Sequence, residues 1–337
     1  MPKKKTGILI WTIGLLLAVL ILYDFSQAQY IKRTFMYAKV KLRGPRKWDS
    51  QFEKLVIGGQ NKNDAQPVYL YRAKSHKPKP LIISLHTWSG NFNEYDPLAA
   101  ICVEKDINYI HPNFMGANDA PESCCSDRVI EQIDDVIEYA LYNLKIDEEN
   151  IHIIGLSGGG YAALCHFMKS KIPITSYSSW VGISDLEAWY FQSKSQKNSF
   201  WKDILDCTGS EKNLEVAEAR KRSPIYLPID VVKQKKVDLN LFTGIHDGIR
   251  GSVPITQSIN FYNRIVSELY PNDSGNLVST KETLYLMEYR KPIGNFGEID
   301  GRPLCLVRNN GHIGLYIFDG GHEILPYHAI DVVLKNK

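Results

Sequence analysis

The stretch Ile151–Phe167, reading IHIIGLSGGGYAALCHF, constrains this chain more than any other. Its apolar opening suits a buried strand, and Gly158 to Met168 can form a helix, so strand must pass into helix within a few residues. Such a turn, with a serine at its apex, leaves no room for side chains two positions to either side. Gly155 and Gly159 meet that need around Ser157. The hydroxyl then stands at a helix N-terminus, where the N–H of Gly158 and the helix dipole favour developing negative charge. A glycine-rich tight turn is the plain alternative. The strand before and the helix after are the context that separates a nucleophile elbow from it.

The rest of the chain alternates in the same way. FEKLVIGG and QPVYLYRA read as two early strands, and Leu81–Leu85 as a buried one ending at His86. INYIHPN is a strand, and Val129, Ile133, Val136, Ile137, Ala140 and Leu144 then recur at helical spacing, with Asp127 placed to cap that helix. NIHIIGLS and ITSYSSWVGI give two more strands. Asp185–Asp230, polar and aromatic, reads as an irregular insertion after the sixth strand. KVDLNLFTGIHDG supplies a strand and TQSINFYNRIVSEL a helix, then ETLYLMEY and HIGLYIFDGGHE read as strands before a closing helix. This order implies an α/β fold with a mostly parallel central sheet flanked by helices.

At 337 residues, 44% of them hydrophobic, the chain can bury one large core after its leader. Behind Lys3, Lys4 and Lys5, Gly7–Tyr23 is a 17-residue mostly apolar run, so residues 1–28 are expected to be a signal peptide or a single membrane anchor. Residues 29–50 form a basic juxtamembrane segment and 51–337 the catalytic domain. The seven Lys and Arg between Lys32 and Lys47 outnumber the three lysines ahead of the run and oppose the orientation expected for export. The favoured expectation is a catalytic domain outside the cytoplasm. The formal charge of +3 is modest and gives no footprint for nucleic acid. Six cysteines suit bridges or buried free thiols equally, with adjacent Cys124 and Cys125 unable to pair without strain. No metal-ligand spacing or dinucleotide loop appears, so no cofactor and no metal are expected.

A serine nucleophile needs a base and an orienting acid downstream, each beyond a strand. Asp247 ends LNLFTGIHD and His322 follows LYIFDGG. Asp230 precedes its strand, Asp238 lies inside it, and Asp319 is too near His322 in sequence to serve as well as Asp247. Among the histidines, His312 sits in a turn before a strand, and His166, His246 and His328 read as structural or surface residues. The second oxyanion donor, beside Gly158, falls in HTWSG and is the N–H of Thr87 or Trp88. Trp88, Trp180 and Trp189, with Tyr190 and Trp201, are candidates to stack on a substrate, core packing being the alternative for each.

Together SLHTWSGN, GANDAPESCCSD, GLSGGG, GIHDGIRGSVPITQSINFYN and FDGGHE resemble the single-domain esterase branch of the prolyl-oligopeptidase-like α/β-hydrolases, from about Phe52 to the C-terminus. The resemblance implies the α/β-hydrolase fold and a Ser157–His322–Asp247 triad. It also implies hydrolysis of a small-molecule or carbohydrate ester such as an acetyl or feruloyl ester. The five residues between Asp247 and Val253, and HTW where many hydrolases have His-Gly, depart from the peptidase pattern. A small peptidase and a non-catalytic membrane-tethered binding protein are the alternatives.

Overall fold

The computed structural model describes residues 48–58 and 65–335. The expected leader or anchor, and all but the last three residues of the basic segment, lie outside them. No helix among the described residues is long and apolar enough to cross a membrane.

Both faces of the central strands are apolar, because helices cover both. The strands are β1 (Glu53–Ile57), β2 (Gln66–Tyr71), β3 (Lys79–Leu85), β4 (Asn108–Pro112), β5 (Ile146–Leu156), β6 (Ser176–Trp180), β7 (Asp238–Gly244), β8 (Glu298–Ile299), β9 (Arg302–Asn310) and β10 (Ile313–Phe318). They form one sheet in the order β1-β2-β4-β3-β5-β6-β7-β10-β9-β8. From β4 through β10 the neighbours run parallel. Antiparallel pairs close both edges.

The helices are α1 (Pro97–Lys105), α2 (Asp127–Asn143), α3 (Gly158–Lys169), α4 (Leu186–Ser195), α5 (Phe200–Thr208), α6 (Val216–Lys221), α7 (Asp230–Lys233), α8 (Thr256–Leu269), α9 (Thr280–Tyr289) and α10 (Pro326–Lys335). On one face Ile82, Tyr109, Ile154, Trp180 and Phe242 pack with Leu98 of α1 and Ile330 of α10. On the other, Ile83, Ile153, Tyr177 and Leu241 pack with residues of α2, α3 and α8. Each fully buried aliphatic side chain contributes roughly 1.5–3 kcal/mol.

Four features differ from the sequence expectation. ETLYLMEY is helix α9, not a strand: Ser279 and Glu282 close a capping box at its start, a local signal that outweighs the apparent alternation. The antiparallel strand of this region is β9, which its arginines and asparagines disguise. Ser126, whose hydroxyl accepts from the N–H of Val129, caps α2, and Asp127 is the first helical residue. The insertion after the sixth strand is four helices, α4 to α7, rather than irregular chain.

The sheet order positions the site. The chain leaves β3 toward β4 on one side and returns to β5 on the other, so β3 and β5 are neighbours whose following loops diverge. Such a switch point opens a crevice at the carboxyl ends of the strands. Leu85 pairs with Gly155 and Leu156 with Trp180, and Trp180 pairs in turn with Phe242. The loops after β3, β5, β7 and β10 therefore emerge along one edge.

Candidate functional site

At the end of β5, Ser157 has φ 58° and ψ −114°, a left-handed conformation that non-glycine residues avoid. Its N–H donates to the carbonyl of Trp180 at 2.8 Å, and α3 begins at the next residue. The strained turn is stabilised by close approach on all sides. A Cβ on Gly155 would collide with the backbone of Gly159, and one on Gly159 with the backbone of Leu85. This is the strand-to-helix elbow that the sequence pattern predicts.

The serine has found a partner 165 residues away in sequence. Its hydroxyl donates to Nε2 of His322 at 2.8 Å, and His322 Nδ1 donates to Oδ2 of Asp247 at 2.7 Å. Asp247 is wholly buried, and its other oxygen accepts from the N–H groups of Gly248 (2.8 Å) and Val253 (3.0 Å). An acid held this way fixes the imidazole tautomer, with the proton on Nδ1 and a lone pair toward the serine. Ser157 is 7% exposed, and the His322 side chain 24%, so the relay lies just beneath the surface. The five residues between Asp247 and Val253 wrap over it: a Cβ on Gly251 would overlap Asp247 Oδ1 and sit 2.6 Å from the Cβ of His322.

The rival groups are engaged elsewhere. Asp319 pairs with His246 at 2.9 Å and Asp238 with His312 at 2.7 Å, while Asp230 opens α7. His166 is buried between Asp134 (2.7 Å) and the Tyr177 hydroxyl (2.8 Å), and burial pushes its pKa down. His328 packs against Trp180 and Phe242.

The loop after β3 meets the elbow closely enough that only glycine fits at 158, where a Cβ would collide with Trp88 N and Cα. Glu94 distinguishes the two candidate donors in this loop. Its Oε2 accepts from the N–H of Thr87 at 3.1 Å, and both its oxygens accept from the Thr87 hydroxyl. Among the described residues no acceptor takes the N–H of Trp88, whose nitrogen lies beside Gly158, the first residue of α3.

Of the four tryptophans offered as substrate contacts, Trp201 is partly buried and the other three present no free face. Trp180 is fully buried, stacked on Phe242 with ring centroids 4.1 Å apart, because β6 directs it into the core. Trp189 is also fully buried and donates to the carbonyl of Ser252 at 2.8 Å. Trp88 is 2% exposed, meets Trp189 edge-on at 4.7 Å and donates from Nε1 to Asp203 at 3.1 Å. Trp88 and Trp189 together seat the insertion on the loop after β3, while Trp180 packs in the core on the other face of the sheet. Alternation does not separate a strand's core face from its cleft end, and the rings of these three pack in the interior.

Two features escaped the sequence pattern. Arg302 of β9 holds Glu323 beside the histidine, and two bridges fasten the surroundings. Cys124 pairs with Cys207 of α5, and Cys125 with Cys165 of α3, with Cα atoms 5.7 and 5.6 Å apart. Cys102 and Cys305 are buried thiols. Adjacency of Cys124 and Cys125 was visible, but partners 83 and 40 residues away are fixed only by the fold. No group of three His, Cys, Asp or Glu side chains converges as metal ligands among the described residues.

No protein-family model and no curated protein sequence matches the chain. Solved structures do. An acetyl xylan esterase 1 from a Thermoanaerobacterium species is similar at TM-score 0.54 and 12% identity, covering 86% of this chain and 85% of that one. A puromycin hydrolase gives TM-score 0.56 and 12% identity over 84% of this chain and 38% of its own. The acylaminoacyl peptidase of Pyrococcus horikoshii gives 0.50 and 20%, over 65% and 36%. This chain spans little more than a third of the length of the last two. A parallel sheet with a switch point beside the elbow, flanked by helices on both faces and shared with these structures, gives the chain the α/β-hydrolase fold.

Proposed function

We propose that the chain is a serine hydrolase that cleaves small acyl esters, on a carbohydrate or another alcohol, through a covalent acyl-enzyme. The observation that carries this reading is the continuous relay Asp247–His322–Ser157, with both contacts at hydrogen-bond length. Ser157 Oγ attacks the ester carbonyl carbon while its proton passes to His322 Nε2. The carbonyl oxygen takes up negative charge between the N–H groups of Gly158 and Trp88, Thr87 being occupied by Glu94. As the tetrahedral centre collapses, the C–O bond to the alcohol breaks and the alkoxide takes the proton from His322. Water then attacks the acyl-enzyme, giving His322 a proton that returns to Ser157 as the carboxylic acid leaves.

Ester cleavage is favoured over peptide cleavage by the extended loop between Asp247 and Val253 and by the near-complete mutual coverage with an esterase structure. Action outside the cytoplasm is part of the proposal. It is supported by two cysteine pairs within bridging distance and by the apolar run at Gly7–Tyr23. Labelling by a fluorophosphonate tests the mechanism: the wild-type chain is expected to react, and Ser157→Ala not to. Retained labelling in Ser157→Ala would refute the nucleophile. Turnover of an aminoacyl-arylamide at a rate equal to that of aryl acetates would move the assignment to a peptidase.

A further inference from the structure

Trp88, in the loop after β3, has all but one of its polar groups engaged. Its carbonyl accepts from the N–H of Asn118 at 2.8 Å, and its indole Nε1 donates to Oδ2 of Asp203 at 3.1 Å. The ring meets Trp189 edge-on and lies 5.4 Å from the ring of Tyr161 in the first turn of α3. The backbone N–H is the polar group left without an acceptor among the described residues, and its nitrogen lies beside Gly158. Trp88 cannot turn without breaking one of the other contacts. The direction of its unpaired N–H is therefore set by Asn118 on one side and Asp203 on the other.

Asp203 is the distant member of this pair, 115 residues from Trp88 and half-buried on helix α5 of the insertion. Asp203 and Cys207 are four residues apart, which puts both on one face of that helix. Cys207 is bridged to Cys124, six residues past Asn118. One loop thus holds the carbonyl of Trp88 directly and, through the bridge, the helix face that holds its indole. Burial pushes the pKa of Asp203 up, the indole N–H of Trp88 opposes that rise, and the charges of Asp119 and Asp206 add to it. An ionised carboxylate is unfavourable at such a place unless the indole is there to receive it.

We propose that Asp203 is a positioning residue for ester hydrolysis, holding the Trp88 indole so that the backbone N–H of Trp88 meets the oxyanion formed on the substrate carbonyl. The inference rests on the serine-hydrolase reading above. It gives the insertion a part in the chemistry through one charge-assisted hydrogen bond. Removing an oxyanion donor costs roughly a hundredfold or more in kcat, and misplacing a reacting group by about 1 Å costs on the same scale. Without Asp203 the donor is still present but loosely aimed, so the loss is a fraction of that.

The test is hydrolysis of 4-nitrophenyl acetate by the full chain, with rates expressed per site labelled by a fluorophosphonate at completion. Asp203→Ala, at a helical position that alanine suits, is expected to lower kcat about tenfold with KM within about twofold of wild type. Asp203→Asn keeps an acceptor for the indole and is expected to stay within about threefold of wild type. Trp88→Phe removes the indole N–H and leaves a ring; it is expected to match Asp203→Ala, and the double variant to fall no further than about tenfold. The rate of fluorophosphonate labelling, which also places an anionic oxygen at this site, is expected to fall in the same order. Trp88→Phe decides by itself should Asp203→Ala not fold. An unaltered rate in Asp203→Ala, a loss carried by KM alone, Asp203→Asn as impaired as Asp203→Ala, or losses that multiply in the double variant would overturn the inference. Labelling separates the two readings. Its absence from the wild-type chain defeats the serine mechanism, whereas labelling at Ser157 with no change in Asp203→Ala defeats the positioning role alone.

Discussion

Arg302 grips Glu323, the residue after His322, with two hydrogen bonds of 2.6 and 3.0 Å, and the same carboxylate accepts the N–H of Gly321 at 3.0 Å. The histidine loop is therefore fastened on both sides of its imidazole to the antiparallel strand β9. A Cβ at Gly320 would collide with the Phe318 ring at 2.2 Å and lie 3.0 Å from Arg302 Nη1. Both partners are more than a third exposed, so the pair is worth little to global stability, about 1 kcal/mol at most. Its effect is on position. Arg302→Met is expected to lower kcat about tenfold by loosening His322, with KM little changed and Tm lowered by about 2 °C. Steady-state kinetics beside thermal denaturation check this; a large fall in Tm with proportionate loss of active enzyme would make Arg302 merely structural.

In the proposed mechanism Gly158 supplies one N–H to the oxyanion and leaves Trp88 room to supply the other. A methyl group at 158 would collide with Trp88 N and Cα, pushing the two donors apart. Gly158→Ala is expected to lower kcat/KM by about a hundredfold, the scale of losing one oxyanion donor. The test is ester turnover on protein shown folded by circular dichroism; activity within threefold of wild type would remove Trp88 from the oxyanion site.

Much of this site was legible in the sequence, for identifiable physical reasons. Gly155, Ser157 and Gly159 advertise the elbow because its sterics are local. Asp247 and His322 are legible because each comes within a few residues of the end of a strong apolar strand. Thr87 and Trp88 could not be separated, since the distinction depends on Glu94, seven residues past Thr87, folding back to occupy one N–H. Trp180 reads alike either way, because a tryptophan at a strand's end carries the same pattern whether it faces the core or the cleft. The bridges of Cys124 and Cys125 and the grip of Arg302 on Glu323 join residues 21 to 83 positions apart, beyond any sequence spacing rule.

The two bridges converge from one loop on two elements around the nucleophile. Cys125 anchors α3, which starts at the elbow, and Cys124 anchors α5, whose Asp203 accepts from Trp88. Closing loops of 83 and 40 residues is worth about 2–4 kcal/mol per bridge through restriction of the unfolded chain. Unfolded without reductant, the protein is expected to show two titratable thiols, Cys102 and Cys305, and six after reduction. Cys207→Ala is expected to lower Tm by several degrees and to add one thiol. Six free thiols before reduction would contradict both pairings.

Burial of neutral histidines sets the acid limit of the fold. His152 of β5 bonds the hydroxyl of Ser176 at 2.8 Å through Nδ1 and has no partner at Nε2, and burial pushes its pKa down to about 4; His111 is pushed to about 3. In the unfolded chain both take up a proton near pH 6.5. Between pH 6.5 and about 4 the unfolded state therefore binds more protons than the folded one, and stability falls as pH falls. The stabilisation is fully present above pH 6.5, and at pH 5 each of these residues removes roughly 1–2 kcal/mol. Tm is expected to drop between pH 7 and pH 5. In His152→Gln, which has no titrating ring, that drop is expected to be smaller by one histidine's share, whatever the variant's Tm at pH 7. A wild-type-sized difference between the two pH values in His152→Gln would show that His152 titrates alike in the folded and unfolded states.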